Sequence, residues 1–117
     1  MAAPVVHFEI LGKSGTRLQD FYRKLFDWKI DSDNPMKYGL VEKAGRGIAG
    51  GVGAPEDGRP GHVTVYVEVP DPDAALERVT KLGGTTIVPT TEIPDMVTFA
   101  LFADPDGNVV GLVKAAP

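Results

Sequence analysis

Two histidines, His7 and His62, are the only imidazoles in the 117 residues, and each opens a stretch that alternates in character. In Val5-Val6-His7-Phe8-Glu9-Ile10-Leu11, Val6, Phe8 and Ile10 point one way and His7, Glu9 and Leu11 the other, which is the period of a strand covered on one face. In His62-Val63-Thr64-Val65-Tyr66-Val67-Glu68-Val69, four valines share one face and His62, Thr64, Tyr66 and Glu68 the other. A histidine near a carboxylate can move a proton at a carbon beside a carbonyl. Glu9 and Glu68 are therefore candidate catalytic residues; the alternative is that they line a solvated cavity or pair with Lys or Arg. For His7 and His62 the plain reading is polar residues on a half-wet strand. That both open a module, opposite the apolar stripe, argues for a site role, with metal ligation as one form of it.

Around these residues lie further candidates for contact with a substrate. Thr64 and Tyr66 share the face of His62, although a mid-strand aromatic such as Tyr66 also serves as packing. Phe99 and Phe102 differ in parity, so one of them faces the cleft, and Phe99 is the candidate. Gly47, Gly50, Gly51 and Gly111 weaken strand interiors by about 0.5–1 kcal/mol each relative to Ala. They either widen a cavity, which makes Gly111 a binding candidate, or mark bends in a curved sheet.

The elements that must position these groups follow from periodicity and turn chemistry. Leu18, Phe21, Tyr22 and Leu25 recur at helical spacing over Thr16–Phe26, and Thr16-x-x-Gln19 has the form of a capping box. Strands are expected over Trp28–Asp31, Tyr38–Lys43 and Gly47–Val52, separated by Asp33-Asn34-Pro35 and Gly45-Arg46-Gly47. The second half repeats the order. Asp71-Pro72 supplies an N-cap and a first-turn proline, Ala75, Leu76, Val79 and Leu82 form the apolar stripe, and Gly83 a left-handed cap. Strands over Thr85–Val88, Met96–Ala103 and Asn108–Val113 follow, the last two joined by Asp104-Pro105-Asp106-Gly107. Pro89–Asp95 reads as a loop, either a lid or a plain connection. Phe21, Tyr22, Phe26 and Trp28 read as core and module-interface residues. The chain is thus one domain, 1–117, of two βαβββ modules, about 5–53 and 61–114, with a Pro/Gly-rich hinge at Ala54–Gly61.

Composition narrows the partners. Twelve basic and sixteen acidic residues give a net charge of -4, and no basic run suits nucleic acid or an anionic membrane. There is no cysteine, which removes thiolate catalysis and disulfides and agrees with a reducing compartment. No signal-peptide pattern or apolar span appears, so the expectation is a cytoplasmic protein with a small-molecule ligand.

The ordered set His7-Phe8-Glu9-Ile10, Phe21-Tyr22, Leu25-Phe26-Asp27-Trp28, Gly61-His62 and Phe102-Ala103-Asp104-Pro105-Asp106-Gly107-Asn108 resembles the glyoxalase/bleomycin-resistance/dioxygenase (vicinal oxygen chelate) superfamily. The resemblance implies an α+β fold in which two βαβββ modules form a cupped eight-stranded mixed sheet with helices outside, most members pairing as homodimers. It implies a divalent metal such as Zn, Ni, Mn or Fe held by four ligands. His7 and His62 match two of those. The two glutamates of that pattern fall on Gly111 and near Ala49, Gly50 or Gly51. The implied activity is a glyoxalase-like lyase or isomerase on a small carbonyl compound, and the alternative is metal-free sequestration of a small molecule or antibiotic.

Overall fold

The structure, a computed structural model, describes residues 2–55 and 59–116. Eight strands of a mixed sheet and two helices follow one another as β1 (Val5–Leu11), α1 (Gly15–Phe26), β2 (Ile30–Asp31), β3 (Gly39–Val41), β4 (Gly50–Gly53), β5 (His62–Val69), α2 (Pro72–Lys81), β6 (Thr85–Ile93), β7 (Val97–Ala103) and β8 (Val109–Lys114). This is the α+β, twice βαβββ order expected. The chain divides into two compact units, His7–Val63 and Met1–Val6 with Thr64–Pro117. Part of the expected hinge, residues 56–58, lies outside the described residues.

In the His7–Val63 unit the strands are ordered β2-β3-β4-β1. β1 runs parallel to β4, with Phe8 opposite Gly50, Glu9 opposite Gly51 and Ile10 opposite Val52. A parallel pair needs a long crossover, and α1 with the β2–β3 hairpin provides it. Ile30, Val41 and Val52 are buried, with Phe8, Ile10, Leu18, Tyr22 and Trp28 packed on them. Removing such side chains from water stabilises by roughly 1.5–3 kcal/mol each. The other unit repeats the plan as β5-β8-β7-β6, with β5 parallel to β8 and Tyr66 opposite Gly111. Its core is Leu76, Ala100 and Leu112, flanked by Val67, Val69, Ala75 and Phe102.

Several expectations are corrected. Helix α1 is capped by the Ser14 hydroxyl, which accepts from the Arg17 N–H. Thr16 and Gln19 form no capping box, because Gln19 is inside the helix and its side chain is 2% exposed and bonded elsewhere. Asp71 caps α2 with Pro72 in its first turn, and Gly83 takes a left-handed φ of 97°, both as expected. The Pro89–Asp95 loop is overturned. β6 continues to Ile93 by pairing with β7 through two register shifts, and the chain turns only at Asp95, whose φ is 63°. Pro89 is tolerated because a shift leaves it outside the ladder between Val88 and Thr91. Tyr22 and Trp28 join the core, but Phe21 and Phe26 are 55% and 52% exposed: α1 presents its inner stripe through Leu18 and Tyr22. In the first half of β5 the polar face is the covered one, with Thr64 and Tyr66 buried and Val63 75% exposed, whereas Val67 and Val69 pack on the core as expected.

The glycines of β4 and β8 are occupied from the side. A Cβ at Gly50 would meet the Phe8 ring at 2.3 Å, and one at Gly111 the Tyr66 ring at 2.4 Å, so aromatic rings lie across these positions. Gly50→Ala is expected to cost about 1–3 kcal/mol by overpacking, read from urea denaturation. The loss shrinks in a Phe8→Leu background, as coupled neighbours require.

Candidate functional site

The chemistry-bearing residues of the His7–Val63 unit meet on the face of β1 turned away from its core. Glu9 lies between them. It is 8% exposed, and a buried carboxylate needs donors to be tolerated. The Tyr38 hydroxyl donates to Glu9 Oε2 at 2.9 Å. His62 Nε2 lies 3.3 Å from Glu9 Oε1, an ion pair whenever the ring is protonated. On its other side the Tyr38 oxygen is 2.9 Å from His7 Nε2.

This order assigns hydrogens. Because the Tyr38 proton points to Glu9, the phenol oxygen offers His7 a lone pair, and His7 Nε2 must be the protonated nitrogen. Burial holds the His7 pKa below its usual 6.5, against the opposing pull of the Glu9 carboxylate. A neutral Nε2–H imidazole, a phenol, a carboxylate and a second imidazole thus form one chain from His7 to His62.

Tyr38 is the member that sequence reasoning missed. It precedes β3 rather than opening it, so the strand expected over Tyr38–Lys43 placed it wrongly. Its position is set by turn chemistry. Asn34 Oδ1 accepts from the Tyr38 N–H at 3.0 Å and Asn34 Nδ2 donates to the Tyr38 carbonyl at 2.7 Å. Lys37, just before it, has a φ of 54°, a left-handed conformation that costs a non-glycine residue about 1–2 kcal/mol. Gln19 reaches from α1 to donate to the Lys37 carbonyl at 3.1 Å and to that of Val52 at 2.8 Å. Asn34 in a turn cluster was the available signal; the long reach of Gln19 had none.

The ring of Tyr38 lies over Gly51. A Cβ there would sit 1.6 Å from the hydroxyl and 1.9 Å from Cζ. The glycine widens nothing at this point, since the space it leaves belongs to Tyr38. Two depressions of this unit lie away from Tyr38, one beside Lys29, Asp31, Leu40 and Glu42 and one beside Ser14, Arg17, Asp20 and Lys24.

A divalent ion would take His7 and His62 as nitrogen ligands and Glu9 as the oxygen. Among the described residues, no three His, Asp or Glu side chains are disposed to hold a metal ion. His7 Nε2 carries a hydrogen where an ion needs a lone pair. These residues as arranged do not fit a resident ion.

In the other unit, Thr64, Tyr66, Glu68, Gly111 and Phe99 fall on one face by register. The Thr64 hydroxyl donates to the Val109 carbonyl, and Tyr66 is 7% exposed against Gly111. Phe102 packs in the core, so parity separates the two phenylalanines. The Glu68 backbone N–H donates to the Pro4 carbonyl at 2.9 Å.

Comparison with known proteins agrees with this architecture. The model of a family described as a glyoxalase-like domain matches residues 13–113. "Putative glyoxylase CFP32" of Mycobacterium bovis and of Mycobacterium tuberculosis is 35% identical over 104 residues, 81% of this chain and 39% of the relative. The chain therefore spans about two fifths of the length of these curated relatives. Methylmalonyl-CoA epimerase from Mycobacterium tuberculosis superposes with a TM-score of 0.67 at 17% identity, over 97% of this chain and 88% of that one. A glyoxalase/bleomycin resistance protein/dioxygenase superfamily member from Vibrio splendidus gives 0.64 at 15%, over 97% and 100%. At these identities the structural likeness shows the fold alone. No helix among the described residues is long and apolar enough to cross a membrane.

The His7 environment predicts a pH dependence of stability. With its folded pKa below the unfolded 6.5, the unfolded chain binds the proton first as pH falls. His7 therefore adds no penalty above pH 6.5, and stability drops as pH falls from there through the lowered folded value. Urea midpoints between pH 7.5 and 5 should show this loss, and His7→Gln should flatten that part of the profile.

Proposed function

The chain belongs to the glyoxalase-like family, and from that premise we propose that it is a lyase or isomerase that moves a proton at a carbon next to a carbonyl in a small molecule. The observation that carries this reading is the buried Glu9 carboxylate joined to the Tyr38 hydroxyl at 2.9 Å and to His62 at 3.3 Å. Glu9 acts as the base: it takes the proton, and the carbon–hydrogen electron pair moves into an enolate. Protonating Glu9 weakens its hold on the Tyr38 hydrogen, which turns to the developing enolate oxygen. Glu9 then returns its proton to carbon, so the net change is isomerisation or, where a leaving group follows, elimination. His62 keeps the carboxylate oriented, and neutral His7 supports the phenol oxygen. The name of a fold neighbour, an epimerase of a CoA ester, supports proton transfer beside a carbonyl. A cytoplasmic homodimer belongs to the same proposal.

Deuterium uptake from heavy water tests it, with methylglyoxal–thiol adducts and 2-methylacyl thioesters as substrates followed by proton NMR. Wild-type protein is expected to exchange the carbon-bound proton. Glu9→Gln and Tyr38→Phe are each expected to slow exchange by about 10²–10⁴-fold. Undiminished exchange in Glu9→Gln would remove the carboxylate from this role.

A second reading, metal-free sequestration of a small aromatic molecule, is supported by the Tyr66 and Phe99 rings on one face beside Gly111. Equilibrium dialysis with bleomycin-type antibiotics is expected to show retention that Tyr66→Ala abolishes; no retention by the wild type would end this reading.

A further inference from the structure

We propose that the Tyr38 hydroxyl stands in the place of a divalent cation, so that this protein keeps an ion site closed with one of its own side chains. The inference goes beyond the proton-transfer reading, because it concerns what occupies the centre of the cluster and not what the cluster does to a substrate.

Three observations converge on it. The first is position. The phenol oxygen is 2.9 Å from His7 Nε2 and 2.9 Å from Glu9 Oε2, and the other Glu9 oxygen is 3.3 Å from His62 Nε2. Two imidazoles and a carboxylate are the donor set that a borderline cation such as Zn²⁺ or Co²⁺ takes, at nearer to ~2.0–2.2 Å per ligand. His7 and one Glu9 oxygen meet the hydroxyl at hydrogen-bond distance while His62 holds the other Glu9 oxygen, so with Tyr38 in place the three are not gathered as ligands of one ion.

The second is hydrogen accounting. A phenol can do part of what an ion does, since it links a donor to an acceptor. It does so with opposite demands on His7: the hydroxyl requires Nε2–H, whereas an ion requires the Nε2 lone pair. Tyr38 and an ion therefore exclude each other through the tautomer as well as by volume.

The third is that the ring is built in. Position 51 has no side chain, and a Cβ there would lie 1.6 Å from the hydroxyl. The Tyr38 backbone is held twice by Asn34, and the Lys37 carbonyl before it by buried Gln19. A left-handed Lys37 is retained to deliver the ring. Such support around one side chain fixes it in place.

Cobalt titration followed by visible absorption, with zinc calorimetry alongside, tests the proposal on the full chain. Wild type is expected to show no His7-dependent ion binding. Tyr38→Ala is expected to bind Co²⁺ and Zn²⁺ at least about tenfold more tightly than wild type, and Tyr38→Ala/His7→Ala to lose that gain. Wild-type binding that matches Tyr38→Ala and depends on His7 overturns the proposal, as does a folded Tyr38→Ala with no gain. A second measurement needs no truncation. In wild type, ¹⁵N shifts should report His7 as the Nε2–H form, unmoved by Zn²⁺, and Tyr38→Phe should erase that preference. A wild-type His7 in the Nδ1–H form, or one shifted by Zn²⁺, also overturns it. Ion binding is read here without substrate, so failure of this proposal and failure of the proton-transfer reading are seen in separate experiments.

Discussion

A carboxylate 8% exposed is the constraint around which the His7–Val63 unit is arranged. An ion buried without partners costs several kcal/mol, enough to remove a large share of a small domain's stability. Glu9 is given a phenol on one oxygen and an imidazole on the other. Supplying the phenol brings requirements of its own: a side-chain-free residue opposite Glu9, a turn that delivers the ring, and a helix residue that ties the turn to the sheet. Gly51, Asn34 and Gln19 meet these in order. One buried charge thus accounts for a glycine, an asparagine and a glutamine that otherwise have little in common.

The scaffold explains why the two units carry different chemistry on one plan. In each, the first strand lies parallel to the last, which brings an aromatic ring over a glycine of the closing strand: Phe8 over Gly50, Tyr66 over Gly111. In the His7–Val63 unit a further ring, Tyr38, arrives from outside the ladder and completes a polar chain. In the other unit the β5 face that carries Tyr66 also carries Thr64, whose hydroxyl is satisfied by the Val109 carbonyl. That residue closes its hydrogen bond on the backbone of the neighbouring segment and carries no charge to be compensated.

Much of this was legible in the sequence because it is written in local signals. Alternation in β1 and β5, the Asp71-Pro72 start of α2 and the Asp104–Asn108 turn each follow from neighbours within a few residues. His7, Glu9 and His62 were visible for the same reason. Tyr38 was not, since its role depends on meeting Glu9 across 29 positions. Gln19 was misread because its spacing from Thr16 imitates a cap, while its actual partners, Lys37 and Val52, lie 18 and 33 residues away. The sequence leaves the glycines open between ligand space and bends of the sheet, and only the neighbours of Gly50, Gly51 and Gly111 reveal that rings lie across those three. β6 outran its expected end because pairing with β7 overrode the local turn preference of Pro89 and Pro94.

The overlap between Tyr38 and a Cβ at position 51 has an evolutionary reading. The two positions share one volume, so neither can be substituted freely while the other stays as it is. A lineage that gains a side chain at 51 must first give up the ring at 38, and one that gains the ring must already have the glycine. The order of change is fixed by geometry: these two sites are epistatic, and related chains should not combine the ring at 38 with a side chain at 51.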